Sequence, residues 1–281
     1  MIPNTNDGEA SYGNLIQSFD GSGWTMGNSN EINSSNNFIA WCWKAGGNKG
    51  TWNVNGEDRG SAAAAGLTTG DTSVLTKCSI NTKAGFSIVF WTQDSGGAGK
   101  NIAHGLTKAP DFIIMRHVNG GSDWFVHHNG ISVATKCIFL NDNSGETTQS
   151  DFGNALPGAT HTATSTTGVN GRTVIMYSWH DVPGFQKFGC FEGNGDPDGV
   201  YVALGFKPAF IMYKENADNQ PWKFVDIKRS GGNPSNLRIE NSNGTEDSNA
   251  AYNMDFLSNG FKMRNDNSEN NQDGQKYLYA A

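Results

Sequence analysis

The chain has 281 residues, room for one large or two modest domains at roughly 100–200 residues each. Gly reaches 36, charged residues are only 17% and aromatics are 11%. Gly and Asn are poor in helix interiors, so a helical protein is disfavoured, and the aromatic share argues against disorder. The net charge of -7 leaves no basic patch for nucleic acid or an anionic membrane surface. The longest apolar runs, such as Phe112 to Met115, are too short to span a bilayer, and Met1-Ile2-Pro3-Asn4 has none of the features of a signal peptide.

In chain order, the first segments are Ser18-Phe19-Asp20-Gly21-Ser22-Gly23-Trp24-Thr25-Met26 and the aromatic strand candidate Phe38-Ile39-Ala40-Trp41-Cys42-Trp43. Both recur near the end of the chain. Ser18 to Met26 matches Asp255 to Met263, and Asn37 to Trp41 matches Lys276 to Ala280. Residues 1–47 therefore read as the second half of a repeated module. Residues 48–83 read as an insertion or linker whose Ser61-Ala62-Ala63-Ala64-Ala65-Gly66 is the good short-helix candidate.

Two full copies follow, 84–183 and 184–281. Gly85-Phe86 aligns with Gly184-Phe185, Ala109-Pro110-Asp111-Phe112-Ile113-Ile114 with Pro208-Ala209-Phe210-Ile211, Trp124 with Trp222, and Cys137 to Asn141 with Leu237 to Asn241. The runs Phe112 to Met115 and Phe210 to Tyr213 have the length and boundaries of buried strands. Asn129-Gly130, Asn259-Gly260 and Asp273-Gly274 supply hairpin turns. The expected fold is all-β, as tandem antiparallel β-sandwich (jelly-roll-like) repeats.

Candidate chemistry is sparse. His127 and His128 are adjacent, so on a strand they face opposite sides and cannot readily chelate one ion. His127 also has Val225 as its counterpart, so the repeat does not carry it. Gly193-Asn194-Gly195-Asp196-Pro197-Asp198-Gly199 resembles a calcium loop superficially but lacks the twelve-residue pattern, and a turn is expected. Asp111, Asp123, Asp151, Glu192 and Asp226 are scattered, with no assignable pair for glycoside hydrolysis. Cys42, Cys78, Cys137 and Cys190 have no C-x-x-C spacing and read as buried free thiols. No catalytic residue, metal site or cofactor is expected. The candidate ligand-binding residues are Trp124, Trp222 and His127, with the alternative that both tryptophans plug their cores.

The strand Phe38-Ile39-Ala40-Trp41-Cys42-Trp43-Lys44-Ala45-Gly46-Gly47, the stretches His104-Gly105-Leu106 and Ala109 to Ile114, Gly184 to Gly195, and Asp255 to Lys262 together resemble a β-rich module of marine tailed-bacteriophage virion structural and tail-fibre proteins. The resemblance implies a virion protein made in the host cytoplasm. It would act with other virion proteins as a homo-oligomer, a trimer if a fibre, and recognise a host cell-surface glycan or protein receptor. It implies no catalytic residues. A capsid-decorating role and a glycan depolymerase are the alternatives.

Overall fold

The computed structural model describes residues 5–10, 13–21, 23–94, 99–149, 157–164, 170–217 and 219–281. It is an all-β, multi-sheet fold. Fifteen strands form its two large sheets: β1 (Trp52–Val54), β2 (Glu57–Asp58), β3 (Leu75–Asn81), β4 (Phe86–Thr92), β5 (Phe112–His117), β6 (Phe125–His128), β7 (Lys136–Phe139), β8 (Thr147–Thr148) and β9 (Thr173–Trp179), then β10 (Phe188–Glu192), β11 (Phe210–Glu215), β12 (Lys223–Asp226), β13 (Leu237–Glu240), β14 (Asn243–Ser248) and β15 (Lys276–Ala280). The first sheet runs β8-β7-β6-β5-β9-β4-β3-β1-β2 and the second β10-β15-β11-β12-β13-β14. Read backwards, the second order is the β8-to-β4 part of the first, so the internal repeat extends to topology. Among the described residues all pairings are antiparallel except β1 with β3.

Three smaller sheets accompany them: Lys100–Ala103 with His161–Thr164; Tyr201–Ala203 with Gly260–Met263 and Met254–Leu257; and the hairpin Ile16–Asp20 with Gly23–Met26. Among the described residues no helix is long and apolar enough to cross a membrane.

Among the described residues strand alternation sorts the apolar side chains into three cores. One face of the first sheet (Val89, Trp91, Ile113, Met115, Val174, Met176) packs against Ala65, Leu67, Ile102 and Ala103. One face of the second (Ile211, Tyr213, Val225, Tyr277, Tyr279) packs against Val202, Met254, Phe256, Phe261 and Met263 of the three-stranded sheet. The remaining faces meet each other. Phe86, Phe112, Val126 and Trp179 join Phe188, Met212, Trp222 and Leu278 in a core shared by both copies. The two repeats are thus fused through their large sheets.

The N-terminal hairpin has the register of its counterpart. Phe19 opposes Trp24 and Asp20 opposes Gly23, just as Phe256 opposes Phe261 and Leu257 opposes Gly260. Burial differs sharply: Phe19 is 73% exposed, whereas Phe256 lies inside the third core. Phe38 to Trp43, expected as a strand, form none. Their counterpart β15 lies between β10 and β11, and no strand flanks residues 37–41 in this way.

Residues 48–83, read as an insertion or linker, supply β1–β3, which extend the first sheet beyond the strands that the two copies share. Other expectations are corrected. Ser61 to Gly66 makes a single turn, with Ala65 N–H donating to the Ser61 carbonyl and the Ser61 hydroxyl accepting from Ala64 N–H, and does not extend into a helix. The four cysteines are free, but only Cys78 and Cys137 are buried. Cys42 is exposed on the unpaired segment and Cys190 on the edge strand β10.

The alignment Phe86 with Phe185 is one residue out of structural register. Ile88 opposes Tyr177 on β9, and Phe188 opposes Ala280 on β15, the position matching Tyr177. Gln186 therefore takes the place of Phe86. Its Nε2 donates to the carbonyls of Ala84, Gly85 and His180, and Phe185 is left 59% exposed.

Candidate functional site

Between the two large sheets the shared core opens into a cleft of about 580 Å³. Its walls are Phe86, Ile88, Phe112, Ile114, Tyr177 and Trp179 from β4, β5 and β9, facing Phe188, Phe210, Met212 and Phe224 from β10, β11 and β12. Phe86 stacks on Trp179 at 4.6 Å between ring centroids, and Phe112 packs on Trp179 at 5.4 Å. That volume lies within the usual range of small-molecule sites.

The unpaired segment around residues 41–46 crosses this cleft. Trp41 packs at 5.2 Å from Phe210 and 5.5 Å from Phe224; Trp43 stands edge-on to Trp179 at 6.2 Å and to Phe210 at 5.7 Å. Its C-terminal end is tied to β3. Asn81 Nδ2 donates to the Lys44 carbonyl (3.0 Å), Gly47 N–H to Ser79 Oγ (3.1 Å), and Ser79 Oγ to the Gly47 carbonyl (2.8 Å). Gly46 sits so close to β3 that a Cβ there would stand 2.5 Å from the Ile80 carbonyl oxygen. Gly46→Ala is therefore expected to lift the strap from β3 and cost about 1–3 kcal/mol, read as a lower urea midpoint. Trp43 is left 46% exposed at the mouth of the cleft.

A second hollow, about 460 Å³, adjoins the first through their shared lining residue Asn241. It is lined by Asn141, Asp142, Asn143, Ser144, Asn219, Asn241 and Ser242. The repeat builds it. Asn141 Oδ1 accepts from Trp124 N–H at 2.7 Å, and Asn241 Oδ1 accepts from Trp222 N–H at 2.8 Å. Their amides donate to Asp123 Oδ1 and to the Leu140 carbonyl. Behind the hollow, buried Lys214 donates to the carbonyls of Asn143 (2.7 Å) and Gln220, and burial pushes its ammonium down to about 7. Hydrogen bonds from Ser144 hold Asp142 below the usual carboxylate value.

Of the sequence candidates, Trp124 lines the cleft but is buried. Trp222 is wholly buried, its Nε1 donating to the Phe139 carbonyl of the first copy at 2.8 Å, so its indole has no face toward solvent. His127 is buried too. By alternation from Phe125 it sits on the far side of β6 from the cleft, and burial with neighbouring His128 lowers it to about 4.

The scattered carboxylates have local partners. Asp111 accepts from Asn129 Nδ2 and Asp181 N–H, Asp123 accepts from Asn141, Asp226 caps a short turn of helix and pairs with Arg229, and Glu192 lies exposed on β10. Asp151 lies outside the described residues. In the calcium-like loop Asp198 is paired with Lys262 and Arg264. The cleft can stack on a ring and exclude water around it, while the hollow supplies amide and hydroxyl groups and the Asp142 carboxylate. Sequence reasoning missed the strap and the hollow. The Trp41-Cys42-Trp43 doublet and the recurring Asn141 and Asn241 were the available signals.

Fold and site together define an all-β protein of several antiparallel sheets with an aromatic, amide-rimmed cleft between the two largest. The model of a domain of unknown function, DUF7483, matches residues 1–281, and the chain belongs to that family. No curated protein and no solved structure matches it.

Proposed function

We propose that this is a non-enzymatic bacteriophage virion protein that mediates attachment by holding a host cell-surface glycan at the inter-sheet cleft. In this reading each large sheet and its smaller companion is one jelly-roll-like sandwich. The protein sits on the virion as part of a tail fibre or other host-facing appendage, among other virion proteins and as a homo-oligomer. The observation that carries the reading is the half-exposed Trp43 indole at the aromatic cleft, which adjoins at Asn241 a hollow of amides, hydroxyls and the Asp142 carboxylate, so that one cavity offers the stacking face and the next the hydrogen-bonding groups that a sugar ring requires. The motif resemblance at residues 38–47, 104–114, 184–195 and 255–262 supports the virion setting.

The test is titration of host surface polysaccharide against the protein, followed by tryptophan fluorescence, together with blocking of phage adsorption by free protein. Trp43→Ala is expected to weaken binding about tenfold, the loss of one stacking contact worth about 1–1.5 kcal/mol, with the fold intact. If wild-type protein neither binds polysaccharide nor blocks adsorption, the attachment reading fails.

A purely structural role such as capsid decoration is favoured by one observation. Ile16, Phe19, Met26 and Phe185 are exposed apolar side chains of the kind a neighbouring virion protein would cover.

A further inference from the structure

The face of the second sheet away from the cleft holds a charged cluster where the first copy is mostly apolar. Tyr213 and Glu215 of β11, Lys223 of β12 and Arg238 of β13 share that face. Strand register places Met115, His117, Phe125 and Cys137 at the same positions in the first copy. The architecture therefore folds without the charges. Lys223 and Asn270 are wholly buried (0% exposed) and Glu215 nearly so. Burying such groups is costly, so their presence calls for a chemical reason.

Lys223 reaches the short turn that carries a polarised amide. Lys223 Nζ donates to the carbonyl of Glu269 at 3.1 Å, the residue immediately before Asn270. The Asn270 side-chain carbonyl accepts from Tyr213 Oη at 2.8 Å and from Arg238 Nη1 at 3.3 Å, two donors placed to hold negative charge developing on that oxygen. Its Nδ2 donates to Asn267 Oδ1 and the Ala251 carbonyl. Arg238 is fixed by Glu240 at 2.7 Å and Glu269 at 3.0 Å. Burial, then Arg238, pushes the Lys223 ammonium down to about 8, against the pull of Glu269, Glu240 and Glu215. A neutral, nucleophilic amine is then accessible near neutral pH.

We propose that Lys223 and Asn270 join in an intramolecular isopeptide bond, with Glu215 relaying the proton. The Nζ lone pair attacks Cγ of Asn270, and the oxyanion is held by Tyr213 and Arg238. Nζ gives one proton to the Glu215 carboxylate, which delivers it to Nδ2. The Cγ–Nδ2 bond breaks, ammonia leaves, and an Nζ–Cγ amide remains. No oxidant or cofactor enters the balance. The bond would tie β12 to the Ser268–Asn271 turn of helix just before β15, a staple suited to an exposed particle component.

Intact-mass measurement of the folded full chain tests this. The expected result is a mass lower than that of the sequence by one ammonia, with a branched proteolytic peptide joining the Lys223 and Asn270 segments. Lys223→Met and Asn270→Ala should retain the full mass. Glu215→Gln, which keeps the side chain's shape should those variants not fold, should form the bond much more slowly. Wild-type protein at full sequence mass after prolonged incubation at neutral pH would overturn the proposal. So would an ammonia loss mapped to an Asn-Gly pair such as Asn129-Gly130, and bond formation in Glu215→Gln at the wild-type rate would remove the relay.

Discussion

Trp222→Ala is expected to destabilise the protein by about 3–5 kcal/mol, the range for truncating a buried tryptophan. Two consequences of one side chain add here. The ring fills the core shared by the two copies, beside Phe112 at 6.4 Å, and its loss leaves a void between two sheets that each have their own second core to preserve. Its Nε1 is a donor from one copy to the other, reaching the Phe139 carbonyl, and truncation orphans that buried acceptor. Its backbone N–H, which the variant keeps, stays held by Asn241, so the loop that shapes the polar hollow retains that anchor and the loss falls on the core. Urea unfolding should give a much lower midpoint, with Trp222→Phe intermediate because it keeps most of the volume and loses the donor. Trp43→Ala provides the contrast. That ring is half exposed, and its loss should cost about 1 kcal/mol or less. Equal midpoints for the Trp222→Ala and wild-type proteins would mean that the two copies are not joined through this core.

The repeat was legible because strands of alternating pattern, bounded by Asn-Gly and Pro, survive duplication, and the strand order of one large sheet reappears in the other. Its register was only partly legible. The Gly-Phe pair at 85–86 and 184–185 invites an alignment that the sheet refuses. In a strand a shift of one residue exchanges faces, so Phe86 is buried while Phe185 is exposed and Gln186 turns inward. The composition of Phe38 to Trp43 is that of a strand, yet strand formation depends on neighbours that local sequence does not encode. Without them the same aromatics become the strap over the cleft. The cleft itself was invisible to motif reading because it is made by faces brought together from both copies. Trp124 and Trp222 were singled out for their repetition, but repetition marked the Asn141 and Asn241 loops that hold their backbones as much as the rings.

Stability is expected to fall as pH drops from about 6.5 to about 4, with His127 and His128 responsible. Both are buried and lowered to about 4 from an ordinary value of 6.5, chiefly by burial. His127 is lowered further by His128, while His128 is pulled upward by its bond to Tyr279 and by Asp111 and pushed down by Lys276. The geometry at His128 explains why the neutral ring is required. Nδ1 accepts from Gly130 N–H at 3.0 Å, so the proton sits on Nε2 and is donated to the Tyr279 carbonyl at 2.9 Å. A second proton on Nδ1 would point at an N–H. Above pH 6.5 both folded and unfolded chains carry neutral rings, and the full stability is present. Between 6.5 and 4 only the unfolded chain takes up these protons, so each histidine removes about 1.4 kcal/mol per pH unit, of order 3 kcal/mol across the window. Asp142, lowered by Ser144, loses its stabilising charge only when pH falls through the carboxylate range below this window, so the two effects separate. Urea midpoints measured from neutral pH down to pH 4 should decline with a slope near two protons, and His128→Gln should reduce that slope to near one. A midpoint that stays level until the carboxylate range would sink the assignment. Because His128 of the first copy bonds the last strand of the second, the same acid titration reports directly on whether the two repeats remain fused.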